Sequence, residues 1–277
     1  MTLRIGQIEY ANCTPIFTML KTRFDCGNYR FVGGVPAELN GMLEKGEIDV
    51  CPSSSFEYGR NSGRYILLPD ISISSDGPVK SVLLFSRRPL EELNGRSIGL
   101  TTESATSVNL LRILLVRMYG FNNLFVATPL PLAEALDRFS ALLLIGDAAL
   151  REGSRESGLF VYDLGALWHQ HTGLPFVFAL WMVTRTAAES KPDEVRSLCA
   201  ELLAAKRLAY DSYEAIAGKS AERQWLAGDA LVDYWRTISY DLTPRHLDGV
   251  KLFFRHAREM GLIGAEPEIR MFGMAGE

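Results

Sequence analysis

The chain has 277 residues, with 33 acidic against 29 basic side chains and a formal net charge of −4. That length accommodates two α/β lobes with cores of their own, and neither sign forms a long block, so no electrostatic footprint for nucleic acid is visible. No apolar run reaches the ~18 residues of a membrane span, and the start "MTLRIGQIEYANCTPIF" lacks the basic flank and apolar core of an export signal. A cytoplasmic small-molecule protein is expected, without a membrane or nucleic-acid partner, either monomeric or a homodimer. Four cysteines, Cys13, Cys26, Cys51 and Cys199, lie far apart without a C-x-x-C pair and read as reduced thiols, mostly in the core.

From Leu3 to Val161 short apolar runs alternate with amphipathic stretches, the pattern of mostly parallel sheets covered by helices. "LRIGQIEY" reads as the first strand. Pro36 opens a helix in "PAELNGMLEKG", Gly46 suits its C-terminal end, and "IDVCP" follows as a buried strand. A second series runs through "SIGL", a helix beginning near Ala105, "LFVAT", a short helix near Pro131, "ALLLIG" and "GLFVYD". Two longer apolar runs border that series, Val79 to Arg88 and Leu174 to Arg185, and are expected as hinge strands. Two lobes with a central cleft follow: residues 1–84 with 182–277 in one, residues 85–181 in the other. The remainder is helical, with Val195, Leu198, Leu202, Ala205 and Ala209 on one face and packed on the first lobe, and with Thr243-Pro244 starting a later helix.

Polar residues cluster where the predicted strands end. In "GLTTESATSVNLLRILL" the apolar positions Val108, Leu111, Leu115 and Met118 share a helical face, so the helix starts among Ser104 to Ser107. Hydroxyl side chains there can cap orphan backbone N–H groups, and the same N–H groups with the helix dipole can hold a carboxylate or phosphate. "CPSSSFEYG" places Ser53, Ser54 and Ser55 after a buried strand, "EYANC" places Asn12 after the first strand, and "LIGDAAL" places Asp147 at another strand end. "SISSDGPVKS" brings Ser74, Ser75, Asp76 and Ser81 to the entrance of the first hinge strand. Ligands of open α/β sheets collect at the carboxyl ends of strands, so these groups describe a cleft for a small polyoxygenated anion.

Other chemistries find less support. His169 and His171 are two apart, the spacing of a strand face, without a third ligand nearby, and a rim role is expected; no metal is implied. Cys13 has no histidine placed to activate it, and neither a G-x-x-x-x-G-K nor a G-x-G-x-x-G loop is present, so no nucleotide cofactor is implied. His246 and His256 read as residues of solvated helix faces, and Trp168, Trp181, Phe176 and Phe178 as interlobe core.

The segments "VPAELNGMLEKGEIDVCPSSSFEY", "YILLPDISISSDGPVKSVLLFSRRPLEELNG", "TTESATSVNLLRILL", "LLIGDAAL" and "YDLGALWHQHTGLPFVFALW" together resemble the chorismate dehydratase family of the futalosine route to menaquinone. The resemblance implies a type II periplasmic-binding-protein-like fold and a hydro-lyase that converts chorismate to 3-[(1-carboxyvinyl)oxy]benzoate, with no cofactor. It also carries over residues. Asn12 matches an asparagine associated with catalysis, Ser81 matches the serine of the "DGPV-x-S" segment, Ser54 and Ser55 match a serine pair, and Thr106 and Ser107 match the helix-start pair. Within that reading Ser104 caps while Ala105, Thr106 and Ser107 face a substrate carboxylate, and Asp147 adds to the binding site. The base stays open between the substrate's own enolpyruvyl carboxylate and Glu9, Asp76, Glu103 or Asp147. Two other readings share the fold: a solute-binding protein, and a lyase like 1,4-dihydroxy-6-naphthoate synthase, whose "S-P-C-P-N-D" start is replaced here by "I-E-Y-A-N-C-T-P".

Overall fold

A computed structural model describes residues 2–273. The chain begins with β1 (Leu3–Ile8), α1 (Thr14–Arg23), β2 (Tyr29–Gly34), α2 (Pro36–Glu44), β3 (Val50–Ser54), α3 (Ser55–Asn61) and β4 (Tyr65–Ser75). It then crosses to β5 (Val82–Ser86), β6 (Ser97–Leu100), α4 (Ala105–Arg112), β7 (Leu124–Ala127), α5 (Leu132–Leu136), β8 (Ala141–Ile145), α6 (Gly146–Gly153), β9 (Phe160–Asp163) and α7 (Leu164–Thr172). It returns through β10 (Phe176–Thr184) and ends in α8 (Arg185–Ser190), α9 (Pro192–Tyr210), α10 (Tyr213–Ala217), α11 (Gly228–Trp235) and α12 (Pro244–Glu259). Among the described residues no helix is long and apolar enough to cross a membrane.

Two five-stranded sheets result, in the orders β2-β1-β3-β10-β4 and β7-β6-β8-β5-β9. In each, a three-stranded parallel core meets one strand antiparallel to it, β10 in the first and β5 in the second. These are the first strands after each crossing, and this corrects the expected hinges. Neither β5 nor β10 spans both lobes, and the boundaries expected at 84/85 and 181/182 fall inside them. The chain changes lobes at residues 76–81 and 173–175, where Gly77, Lys80 and Gly173 have positive φ and break the extended backbone. An added Cβ on Gly165 would come within 2.5 Å of the Gly77 carbonyl oxygen, so α7 lies hard against the first crossing.

The predicted helix from Pro36 forms as α2, and the α9 stripe is buried at Val195, Leu198, Leu202, Ala205 and Ala209. α9 packs on α1 and β4 of the first lobe. Thr243 and Pro244 start α12, where the Thr243 hydroxyl lies 2.8 Å from His246 Nδ1. That contact corrects the reading of His246 as solvated: it is buried, and burial lowers its pKa. The helix after Ser104 widens into a π-turn over Ile113–Met118, which rotates its buried face to take in Leu110, Ile113 and Leu114 with Leu111 and Leu115. Three elements without a strong local signal also form. α1 carries three threonines beside Ile16 and Phe17, β2 carries two glycines, and β4 contains Pro69 and a positive-φ Asp70, beside shifts in its register with β10.

The aromatic residues divide between two places. Trp168 of α7 meets Phe176 of β10 edge-on at 5.2 Å, and Phe176 meets Phe178 at 4.7 Å, so these form the interlobe core. Trp181 lies elsewhere, packed at 5.6 Å and tilted against Phe17 of α1 within the first lobe. His169 and His171 lie on a helix, not a strand. His169 Nδ1 is 3.0 Å from Asp76 Oδ1, and His171 packs edge-on to Tyr119.

Candidate active site

The carboxyl ends of β1, β3, β6 and β8 converge between the lobes, as expected for ligand sites of open α/β sheets. They surround a cavity between the lobes. Its polar wall is Tyr10, Asn12, Ser54, Ser81, Ser104 and Ser107, and Ile8, Ile73, Val82, Ile145 and Phe178 supply most of the rest. The lining residues include no Lys, Arg, His, Asp or Glu. An anion held here is neutralised by hydroxyl and amide dipoles and by helix N-termini: α2, α4 and α6 start at the wall with Pro36, Ser104 and Gly146.

Asn12 is the most exacting group in this wall. Its Oδ1 is buried and has no hydrogen-bond partner among the described residues, although such an atom ordinarily finds one. The backbone beside it is held by three hydrogen bonds. Ala11 N–H donates to Asp147 Oδ1 at 3.0 Å, Trp235 Nε1 donates to the Ala11 carbonyl at 2.7 Å, and the Tyr240 hydroxyl donates to the Asn12 carbonyl at 2.8 Å. The main chain is thus clamped from α6, from α11 and from the segment before α12, while the side chain is left free for a ligand. Ser81 stands nearby, with Oγ accepting from the Tyr234 hydroxyl at 2.9 Å. Tyr234, Trp235 and Tyr240 have no local motif around them, and the sequence reading did not reach them.

The helix starts sort the predicted hydroxyls into two kinds. Ser104 caps α4, accepting from Ser107 N at 3.2 Å, and both side chains still line the cavity. Ser54 caps α3, accepting from Glu57 N at 3.3 Å, and also lines it. Capping and lining the cavity therefore coincide. Ser55, Ala105, Thr106 and Asp147 are placed outside the wall. Ser55 donates to the Val177 carbonyl at 2.7 Å, turned away from Ser54 where the extended backbone of β3 passes into the first turn of α3. Ala105 and Ser104 border a second, more open groove beside α2 and α3. Ser74 and Ser75 serve the backbone, donating to the Ser239 and Gly77 carbonyls.

Thr106 and Asp147 instead tie the lobes together. Thr106 Oγ1 accepts from Phe56 N at 3.0 Å, Asp147 accepts from Ala11 N, and the Tyr10 hydroxyl donates to Glu103 Oε2 at 2.8 Å. Burial raises the Asp147 pKa, opposed by the Ala11 N–H. Gly146 has φ +58, and an added Cβ would come within 2.9 Å of the Tyr10 ring, so only glycine lets Tyr10 close over this wall. Thr106→Val is expected to weaken ligand binding by roughly tenfold, because the closed form then buries the Phe56 N–H without an acceptor. Titration calorimetry beside a thermal melt checks this: unchanged affinity would show that the contact contributes nothing to closure.

A family model described as menaquinone biosynthesis matches residues 3–259. The chain belongs to this family. Within reach of the family, the chain is 33% identical over 273 residues to a chorismate dehydratase of Thermus thermophilus, covering 93% of this chain and 95% of that one. In structure it is similar to an Archaeoglobus fulgidus protein, with a TM-score of 0.77, 19% identity and coverage of 95% and 98%. It is similar also to the periplasmic aliphatic sulphonate binding protein of Escherichia coli, with a TM-score of 0.70, 14% identity and coverage of 100% and 95%. The chain shares the two-lobed fold of those structures, and its helical C-terminal segment clamps the Asn12 loop.

Proposed function

We propose that this protein is a chorismate dehydratase, converting chorismate to 3-[(1-carboxyvinyl)oxy]benzoate and water by the futalosine route to menaquinone. The observation that carries the reading is the Asn12 side-chain oxygen, buried and unpartnered at a cavity without charged lining residues. Chorismate has two carboxylates and a ring one dehydration from aromaticity. Removal of the proton from the carbon bearing the enolpyruvyl ether leaves an electron pair that spreads toward the ring carboxylate. The neighbouring hydroxyl then departs with its bonding electrons, and with the removed proton it makes one water. Aromatisation drives the reaction, so the protein needs to orient the substrate, exclude solvent and offer donors where charge develops.

The cavity divides those tasks. Ser104 and Ser107, at the start of α4, hold one carboxylate, and Asn12 and Ser81 hold the reacting end. The base is the substrate's own enolpyruvyl carboxylate, because each protein candidate is committed elsewhere. Glu9 is exposed and lies over Gly33. Glu103 accepts from Tyr10, Asp147 from Ala11 N, and exposed Asp76 pairs with His169 and Arg245.

Incubation of the purified protein with chorismate alone tests this, following loss of substrate and appearance of a product lighter by one water. Tight binding without product would make the protein a binding module. Glu9→Gln, Asp76→Asn, Glu103→Gln and Asp147→Asn are each expected to keep turnover within about tenfold, Asp147→Asn because its amide oxygen still accepts the Ala11 N–H. Abolished turnover at one of these positions, with binding intact, would transfer the role of base to that residue.

A further inference from the structure

Ser81 has one hydroxyl proton and two lone pairs, and what surrounds it decides which of these the cavity meets. Tyr234, near the end of α11, occupies one lone pair by donating at 2.9 Å. Both residues are buried, at 1% and 2% exposure. Burial also drives the Tyr234 phenol far above its usual pKa, so it stays a proton donor throughout the pH range of a working enzyme. Among the described residues Ser81 Oγ makes one further hydrogen bond, a long one of 3.4 Å to the Val79 carbonyl. An anion in the cavity offers that proton a better acceptor. The neighbouring residue Trp235 holds the Ala11 carbonyl, so one helix end reaches the supports of both Asn12 and Ser81.

We propose that Tyr234 is a positioning residue that fixes Ser81 Oγ and turns its proton toward a carboxylate of the substrate. The relay Tyr234 O–H to Ser81 O–H to carboxylate strengthens each bond in the chain, and without Tyr234 the hydroxyl rotates toward Val79. This rests on Ser81 facing the substrate, and the experiment separates the two statements.

Tyr234→Phe, Ser81→Ala and the double variant are compared in kcat, KM and melting temperature. Tyr234→Phe is expected to lower kcat about tenfold with KM changed less than about threefold, and to cause no further loss in the Ser81→Ala background. Stability should behave differently. Each single variant leaves a buried hydroxyl short of a partner and melts roughly 2–4 °C lower, whereas the double variant removes both groups and recovers. Activity that stays at the Ser81→Ala level while stability returns distinguishes positioning from structural support. Wild-type kcat in Tyr234→Phe, or a further fall when it is added to Ser81→Ala, would overturn the proposal. Full activity in Ser81→Ala would remove Ser81 from the substrate and the Tyr234 role with it. Should Tyr234→Phe alone fail to fold, the double variant against Ser81→Ala still decides.

Discussion

Asn12→Ala is expected to lower kcat by roughly 10²–10³-fold while leaving the melting temperature unchanged or raised. The usual loss of stability on truncating a half-buried polar residue does not apply here. Everything the fold takes from Asn12 comes from its main chain, through the Tyr240 hydroxyl on its carbonyl and the Asp147 and Trp235 bonds to the adjoining Ala11. The side-chain oxygen is buried without a partner, a condition that costs about 1–3 kcal/mol in the unliganded protein. Alanine relieves that cost and loses the contact to the reacting end of the substrate. A residue whose removal helps folding and harms turnover is one kept for its ligand. Steady-state turnover beside a calorimetric melt checks both halves; retained activity, or activity lost only in step with stability, would take Asn12 out of the chemistry.

The largest effect on stability is expected at a residue that never touches the cavity. Asp163 ends β9 and caps α7 through Ala166 N at 3.0 Å, and its carboxylate also accepts from Val79 N at 3.0 Å and Lys80 N at 2.6 Å. It therefore ties the crossing segment that delivers Ser81 to the lobe on which that segment lands. Lys80 has φ +61, a left-handed conformation that is costly for a side chain other than glycine, and the carboxylate helps hold it there. Asp163→Ala leaves three N–H groups short of an acceptor and is expected to cost about 3–5 kcal/mol in denaturant unfolding, with partial recovery in Asp163→Asn. A loss under about 1 kcal/mol would mean that water replaces the carboxylate.

The same carboxyl has a pH signature. Burial raises its pKa, against the pull of the backbone N–H groups that bond to it. The native chain thus takes up this proton at a higher pH than the unfolded chain does. The contribution to stability is present in full below the ordinary carboxylate range and is lost as pH rises through the raised value. The gap in stability between the wild-type protein and Asp163→Asn should accordingly widen as pH falls through that interval.

Local chemistry was enough to read several parts of this protein. Pro36 and Gly46 bracket α2, Ser104 caps α4, Thr243 and Pro244 start α12, and the spacing from Val195 to Ala209 lays one face of α9 on the core. Each signal lies within a turn or two of its effect, and each acts through backbone N–H groups or helical periodicity. Polar residues at strand ends marked the cleft for the same reason. The resemblance to chorismate dehydratases then named a chemistry that periodicity and capping alone do not specify.

What the sequence determined by itself was therefore the set of elements with strong local signals and the neighbourhood of the site. The tertiary structure decided which of two adjacent hydroxyls lines the cavity, Ser54 over Ser55 and Ser107 over Thr106, because the junction of β3 with α3 and the contact of Thr106 across the lobes fix side-chain direction. It also placed the lobe crossings at residues 76–81 and 173–175, where positive-φ Lys80 interrupts one run that read as a continuous strand and positive-φ Gly173 stands just ahead of the other. And it brought Tyr234, Trp235 and Tyr240 to Ser81, Ala11 and Asn12, more than 150 residues away along the chain. Such contacts leave no local pattern, since a hydrogen bond between distant segments depends on how whole elements pack and not on the residues that flank either partner.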